Sequence, residues 1–129
     1  MSELTDPIRR FIADSINSVA QLEVLLLLKQ DPQRAWNAEE VARSLYTGET
    51  LIAAHLADWA ARELVAPLPD QPGFYRYAPS STALAELVDH LAEAYKVRRV
   101  SVITEIYSQP VDKVRTFADA FRLRKGEQK

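Results

Sequence analysis

The chain has 129 residues, of which 16 are Lys or Arg and 18 are Asp or Glu, so its formal net charge is −2. A chain of this length is expected to form one domain, or one domain with an appendage, around a single hydrophobic core. It contains no Cys, which excludes disulfide scaffolds, thiolate metal sites and a cysteine nucleophile. Its longest apolar run, Val24 to Leu28, is far shorter than the ~20 residues of a membrane span, and the N-terminus lacks an export signal. We therefore expect a cytoplasmic protein that does not enter the membrane.

Two helices are predicted at the start of the chain. Asp6 suits an N-cap and Pro7 suits the first helical position, so a first helix is expected to begin there. Ser18 begins a second helix, whose residues 19–28 are apolar on nearly all sides. This second helix ends before Pro32 and is expected to be the central buried one.

A tight turn separates the next two predicted helices. Asn37 and Glu40 have the spacing of a capping box, and the apolar residues that follow fall on one face of a short helix. These apolar residues are Ala38, Val41, Ala42 and Leu45. A turn at 46–48 then leads into a helix from about Glu49 to Glu63. Two helices joined by such a short turn are typical of a helix-turn-helix motif.

A β-hairpin is predicted after these helices. Leu64 to Leu68 and Phe74 to Ala78 have the composition of short strands. The segment between them, Pro69 to Gly73, contains two Pro, one Asp and one Gly, which are turn-forming residues. The hairpin would be the wing of a winged helix-turn-helix.

The apolar positions after Leu45 carry a resemblance to a known family. The places seven, eleven and fourteen residues further on hold Ile52, Leu56 and Trp59. With this spacing, residues 18–79 resemble the bacterial winged helix-turn-helix transcription regulators of the MarR type. The resemblance implies a mainly α fold with a small β-hairpin, in which 1–79 form the winged helix-turn-helix domain and 80–129 form C-terminal helices for dimerisation or partner docking. In that family a Gly precedes the step into the wing, and because Glu63 stands there in this chain, a different helix exit is expected.

The resemblance also implies which residues would contact DNA. In the family, the first two turns of the second motif helix enter the major groove, and the wing touches the backbone. The predicted DNA-binding residues of this chain are therefore Glu49, Thr50, Ala53, Ala54, Arg43 and Arg76. However, residues 48–64 carry a single cation, Arg62, against three carboxylates. The function implied is a dimeric DNA-binding transcription regulator, and the alternative is a protein-interaction adaptor with little or no DNA binding, which would contact a partner through the acidic helix 49–63 or the basic tail 122–129.

The segment from Ser81 to Gln109 is predicted to be helical and to form a homodimer. If it is one continuous helix, it measures on the order of 42 Å, whereas a compact chain of this length has a radius of gyration of ~14 Å. An apolar stripe of that length needs another surface packed against it, and we expect both a last helix at Val111 to Leu123 and the same segment of a second chain to provide it, in a two-fold dimer. A strand at Val100 to Ile106 is the alternative for part of the segment. The predicted dimerisation residues are Leu84, Leu87, Val88, Leu91, Tyr95, Val102, Ile103, Ile106, Phe117 and Phe121.

No pattern in the sequence indicates an enzyme. His55 and His90 have no second ligand at metal-binding spacing, and Asp58 and Arg62 are expected to form an ion pair on a helix surface. No nucleophile, acid–base pair or glycine-rich loop accompanies them. We therefore expect no catalytic residue, no metal site and no cofactor.

Overall fold

Six helices and one two-stranded antiparallel sheet make up residues 4–108, the part of the chain that this computed structural model describes. The elements are α1 (Asp6–Ser15), α2 (Val19–Gln30), α3 (Ala38–Leu45), α4 (Glu49–Ala61), β1 (Val65–Leu68), β2 (Gln71–Tyr77), α5 (Thr82–Val97) and α6 (Arg99–Tyr107). The prediction of a mainly α fold with a small β-hairpin is confirmed. The last helix predicted from the sequence, at 111–123, lies outside the described residues.

Capping side chains set the starts of α2 and α3. Ser18 accepts a hydrogen bond from the backbone N of Gln21 at 3.1 Å. At α3, Asn37 and Glu40 cap each other's backbone N–H groups at 2.8 and 3.4 Å, which confirms the capping box. The start of α1 differs by one residue from the prediction, because Thr5 is the N-cap and Asp6 is already helical. An acidic side chain in the first turn is still favourable there, since it faces the positive end of the helix dipole.

The central position predicted for α2 is confirmed. Four of its apolar side chains are fully buried: Leu22, Val24, Leu25 and Leu28. The helix contacts α3, α4 and β2, so the helix-turn-helix and the hairpin both pack against it. The ring of Phe11 from α1 stacks on Trp59 of α4 with 6.3 Å between ring centroids, which extends the same core toward the N-terminus.

The hairpin is longer and its turn is tighter than predicted. β2 begins at Gln71 rather than Phe74, and only Pro69 and Asp70 form the turn. The register shifts between Pro67 and Leu68, so that Leu68 pairs with Gln71. Three residues of β2, Pro72, Gly73 and Phe74, therefore have no partner on β1, while pairing continues on both sides of them.

One further backbone pairing was not predicted. Trp36, which precedes α3, forms an isolated antiparallel bridge with Tyr75 of β2, and each backbone N donates to the other residue's carbonyl oxygen at 2.8 Å. This bridge fastens the wing to the segment between α2 and α3.

The C-terminal segment is helical but not continuous. The helix breaks at Arg98, which has φ −128° and ψ 55°, and α6 follows from Arg99. The strand proposed as an alternative for 100–106 is therefore wrong. The break has a physical reason: both α5 and α6 contact α1, and a straight helix of the predicted length could not keep both halves of its apolar stripe against one short helix.

Tyr95 and Arg99, on either side of this break, both contact Glu23 of α2. The Tyr95 hydroxyl donates to Oε2 of Glu23 on α2 at 3.0 Å, and Arg99 approaches the same oxygen at 3.5 Å. The Arg99 guanidinium lies 4.6 Å from the centre of the Tyr95 ring. Burial, and next the bond to Glu23, raise the pKa of Tyr95 above its usual value. The hydroxyl therefore stays protonated as a donor at neutral pH.

One hydrophobic cluster joins the N-terminal and C-terminal parts. It contains residues of α1, α2 and α4 together with Val88, Leu91 and Val102 from beyond the predicted boundary. The division of the chain into 1–79 and 80–129 stays a prediction.

Candidate nucleic-acid interface

The turn between α3 and α4 is held by a residue in an unusual conformation. Tyr46 has φ 55°, in the left-handed region, and Thr47 donates its backbone N–H to the Ala42 carbonyl at 3.0 Å. A left-handed conformation costs a side-chain-bearing residue roughly 1–2 kcal/mol. The Tyr46 side chain is also 95% exposed. The turn brings α4 into contact with α3 and leaves an aromatic ring in solvent.

The inner face of α4 anchors the helix. Ile52, Leu56 and Trp59 are fully buried, at the apolar positions that the sequence spacing predicted. The Trp59 indole Nε1 donates to the Gln21 carbonyl oxygen at 2.9 Å. The Gln21 side-chain Nε2 in turn donates to Oδ2 of Asp58 at 2.7 Å. Two hydrogen bonds to one residue of α2 therefore set the rotation of α4.

The outer face of α4 is exposed to solvent. We use this name for Thr50, Ala53, Ala54 and Ala57, which follow the spacing i, i+3, i+4 and i+7 and are all exposed. Of the predicted DNA-binding residues, Thr50, Ala53 and Ala54 lie on this face and Glu49 lies exposed at the first turn beside it. The structure thus brings four of the six predicted residues together on one helix.

The C-terminal end of α4 has the conformation usual for glycine, although Glu63 stands there. Glu63 has φ 66°, the left-handed conformation that glycine commonly supplies at the end of a helix. Leu64 donates its N–H to the Trp59 carbonyl and Glu63 donates to that of Ala60, both at 3.0 Å. These two bonds form a Schellman motif, so a different exit was wrongly expected. The Ser80 hydroxyl donates to Oε1 of Glu63 at 2.8 Å, which ties the exit to the end of the wing.

Within residues 4–108, the helix-turn-helix and the wing carry few cations. Arg43 and Arg76, the other two predicted DNA-binding residues, are exposed on α3 and β2. Arg43 is paired with Glu39 at 3.0 Å. Arg34, before α3, lies 3.7 Å from a Glu40 carboxylate oxygen and 3.5 Å above the Trp36 ring. The stacking of a guanidinium on an aromatic ring was not predicted, and only the closeness of the two residues in the sequence could have suggested it.

The ion pair predicted within α4 is present. Arg62 Nε lies 3.3 Å from Oδ2 of Asp58, which neutralises the cation nearest the end of the helix. His55 adds no charge, because burial lowers its pKa below the usual value, against a smaller opposing effect of Asp58. At neutral pH the outer side of α4 therefore presents an uncharged surface with Glu49 at its start.

The predicted dimerisation residues lie mostly inside the chain. Five of them are buried in the core, namely Val88, Leu91, Tyr95, Val102 and Ile106. Three more are partly buried against it, namely Leu84, Leu87 and Ile103. Phe117 and Phe121 lie outside the described residues. Because α1 already covers the stripe, its burial does not require a second chain, and the dimer stays a prediction.

Other apolar side chains on the C-terminal helices are exposed. Val97 is 62% exposed at the end of α5, and Val100 and Tyr107 are 76% and 57% exposed on α6. Val100, Ile103 and Tyr107 are spaced i, i+3 and i+7, so they lie along one side of α6. Ile103, between the two exposed residues, is partly buried against the core. We call these three residues the outward stripe of α6.

Two further features of residues 4–108 concern metals and membranes. No group of three or more His, Asp or Glu side chains there is arranged to hold a metal ion. No single helix in this range is long and apolar enough to cross a membrane. Taken together, α1 and α2 have the length and apolar composition of a membrane span, but they are bent by 110° relative to each other. The absence of an enzymatic activity and of a cofactor stays a prediction.

Comparison with solved structures shows the fold. The chain is similar to the reduced form of MarR from E. coli, with a TM-score of 0.50 and 14% identity over 90% of this chain and 80% of that one. A mutant MarR from E. coli complexed with operator DNA aligns with a TM-score of 0.48 and 14% identity over 90% of this chain and 81% of that one. The sequence matches no known protein-family profile and no curated protein. The chain therefore has a MarR-like winged-helix fold.

Proposed function

We propose that this chain is a winged-helix transcription regulator that binds duplex DNA in the cytoplasm. The observation that carries the proposal is the position of α4, which is anchored by a buried inner face and exposed along its outer face beside an exposed hairpin. A helix presented in this way fits the major groove, while a neighbouring hairpin can reach the sugar–phosphate backbone. The fold similarity to MarR supports the same architecture.

The charge around the motif predicts weak electrostatic binding. Arg34, Arg43 and Arg76 are exposed cations in or next to the helix-turn-helix and the wing, and two of them are already paired with carboxylates. Each phosphate that a protein neutralises contributes about −0.9 to the slope of log K against log salt concentration. We therefore expect a slope no steeper than about −3 per chain.

The test is selection from a random duplex library at low salt, followed by titration of the selected duplex by fluorescence anisotropy. Replacement of Arg76 by Ala is expected to weaken binding to all sequences and to reduce the salt slope by about 1. Arg10→Ala is the matched control, because Arg10 is an exposed cation on α1, outside the motif. Failure to select any duplex would contradict the proposal.

The second part of the proposal is a homodimer formed through the outward stripe of α6. The support is the exposure of Val100 and Tyr107 on a helix whose opposite side is already buried. Introducing charge with Val100→Asp and Tyr107→Asp is expected to convert a dimer into a monomer, as measured by light scattering after gel filtration. Thr82→Asp, at an exposed position of α5, is the control. A wild-type chain that is monomeric at high micromolar concentration would contradict this part.

A protein-interaction adaptor is the second candidate function. The observation that favours it is the uncharged outer face of α4, next to which Tyr46 and Leu51 are 95% and 51% exposed. The double variant Glu49→Lys and Ala53→Arg separates the candidates. If this variant binds duplex DNA and the wild-type chain binds none, the adaptor is favoured, because the motif then has the right shape for the groove but lacks the charge.

A further inference from the structure

We infer that the outer face of α4 recognises the C5-methyl groups of thymines in the major groove. This inference rests on the proposed function and names the kind of DNA sequence that the site would take.

The side chains of the outer face limit which base edges α4 can recognise. Guanine and adenine are distinguished mainly by bidentate hydrogen bonds from Arg, Lys, Asn or Gln. None of these residue types occurs on the outer face, where Thr50 has the sole polar side chain. The face instead presents one methyl group from each of its four residues. The base-edge feature that a methyl group can recognise in the major groove is the methyl of thymine.

The size of these side chains permits close approach. A helix with ordinary side chains is ≈ 10–12 Å wide, which about fills a major groove of ≈ 12 Å. Alanine methyls extend much less than long side chains, so the backbone of α4 can lie nearer to the base edges. From Thr50 to Ala57 the helix rises about 10 Å, or about three base-pair steps. The face therefore fits three or four consecutive base pairs.

The sparse charge around the motif makes these apolar contacts more important. The two paired cations, Arg34 and Arg43, must give up or share their carboxylate partners to meet phosphates. Burial of apolar surface contributes ~0.8 kcal/mol per methyl-sized group, or about a fourfold change in affinity. Each methyl contact thus adds to the affinity without the counterion release that makes phosphate contacts depend on salt.

The experiment compares a selected duplex with versions in which single thymines are replaced by deoxyuridine. This exchange removes the C5-methyl and keeps base pairing unchanged. We expect a two- to fivefold loss of affinity at each contacted thymine. Thr50→Ser, which removes a methyl and keeps the hydroxyl, is expected to cause a similar loss on the thymine duplex and to abolish the effect of deoxyuridine at one position. Thr82→Ser, at an exposed position of α5, is the matched control, for which we expect no change.

The outcomes separate the inference from the proposed function. If the protein keeps a sequence preference but binds thymine and deoxyuridine duplexes equally, the inference is overturned and the proposed function stands. If it binds no duplex in either form, both are overturned, and a protein becomes the remaining occupant for the outer face. A loss at specific thymines that Thr50→Ser removes supports the inference.

Discussion

The inner and outer faces of α4 are both apolar, yet they have different roles. The inner face carries large side chains, Ile52, Leu56 and Trp59, that are fully buried. The outer face carries single methyl groups that are all exposed. Because both sides lack charge, hydrophobicity alone does not distinguish them, and side-chain size does. Large side chains on one side determine how the helix packs, and small ones on the other leave room for a partner.

The largest effect expected from this comparison is at Trp59. Trp59→Ala removes a fully buried ring and its hydrogen bond to Gln21, so we expect a loss of about 3–5 kcal/mol in the free energy of unfolding, measured by urea denaturation. Ala57→Ser on the outer face is the control, with an expected change within about 0.5 kcal/mol. A loss below about 1 kcal/mol for Trp59→Ala would show that the inner face is not what anchors α4.

A smaller loss of stability is expected when Gln21 is replaced, because this residue is hydrogen-bonded to both Asp58 and Trp59 of α4. This side chain is 3% exposed, accepts a hydrogen bond from the Asn17 backbone N at 2.8 Å and donates to Asp58. Gln21→Ala should lower the free energy of unfolding by about 1–3 kcal/mol, because buried hydrogen-bonding groups lose their partner. Gln30→Ala, at an exposed position of the same helix, is the control. Equal stabilities of the two variants would contradict the assigned role.

The exit of α4 should be stabilised by glycine. Glu63→Gly relieves the left-handed strain but loses the bond from Ser80, so a net gain of about 0.5–1 kcal/mol is expected in thermal or urea unfolding. Glu63→Ala keeps the strain and loses the same bond, and it should therefore be less stable than wild type. If Glu63→Gly is also less stable than wild type, the left-handed conformation is not costly at this position.

The smallest expected effect is a pH dependence at the side of α4. Burial lowers the pKa of His55 in the folded chain. In the unfolded chain this histidine has the ordinary pKa of ~6.5, so the unfolded chain binds a proton more readily than the folded chain as the pH falls below ~6.5. Stability is therefore retained above that pH and lost as pH falls through it. His55→Gln should reduce this loss between pH 7.5 and 5.5, measured by urea unfolding at each pH. His90→Gln, at an exposed position, should behave as wild type.

Local signals in the sequence predicted much of the fold. The caps at Ser18 and Asn37 act within a few residues, so they could be read directly from the chain. The spacing of Ile52, Leu56 and Trp59 predicted the inner face correctly, because helical periodicity determines which side chains share a side. For the same reason four predicted DNA-binding residues lie together on the exposed side of α4.

Contacts between distant parts of the chain could not be predicted in this way. The stripe on the C-terminal helices was correctly identified as apolar, but nothing in its pattern indicated that α1 would cover it. The ion pairs of Arg43 and Arg62, by contrast, join residues four positions apart, so their partners were visible in the sequence. The Arg34–Trp36 stack and the Trp36–Tyr75 bridge depend on how the wing packs, and they became apparent only in three dimensions.

The amino-acid sequence by itself determined where most helices begin, which sides of them are apolar, and that the second motif helix is poor in cations. The tertiary structure alone decided that the helix after residue 81 breaks at Arg98 and that Glu63 takes a left-handed conformation. It also decided that α1 packs against the apolar stripe of α5 and α6. The physical reason is that periodicity and capping are local, whereas the burial of an apolar surface depends on which other surface packs against it.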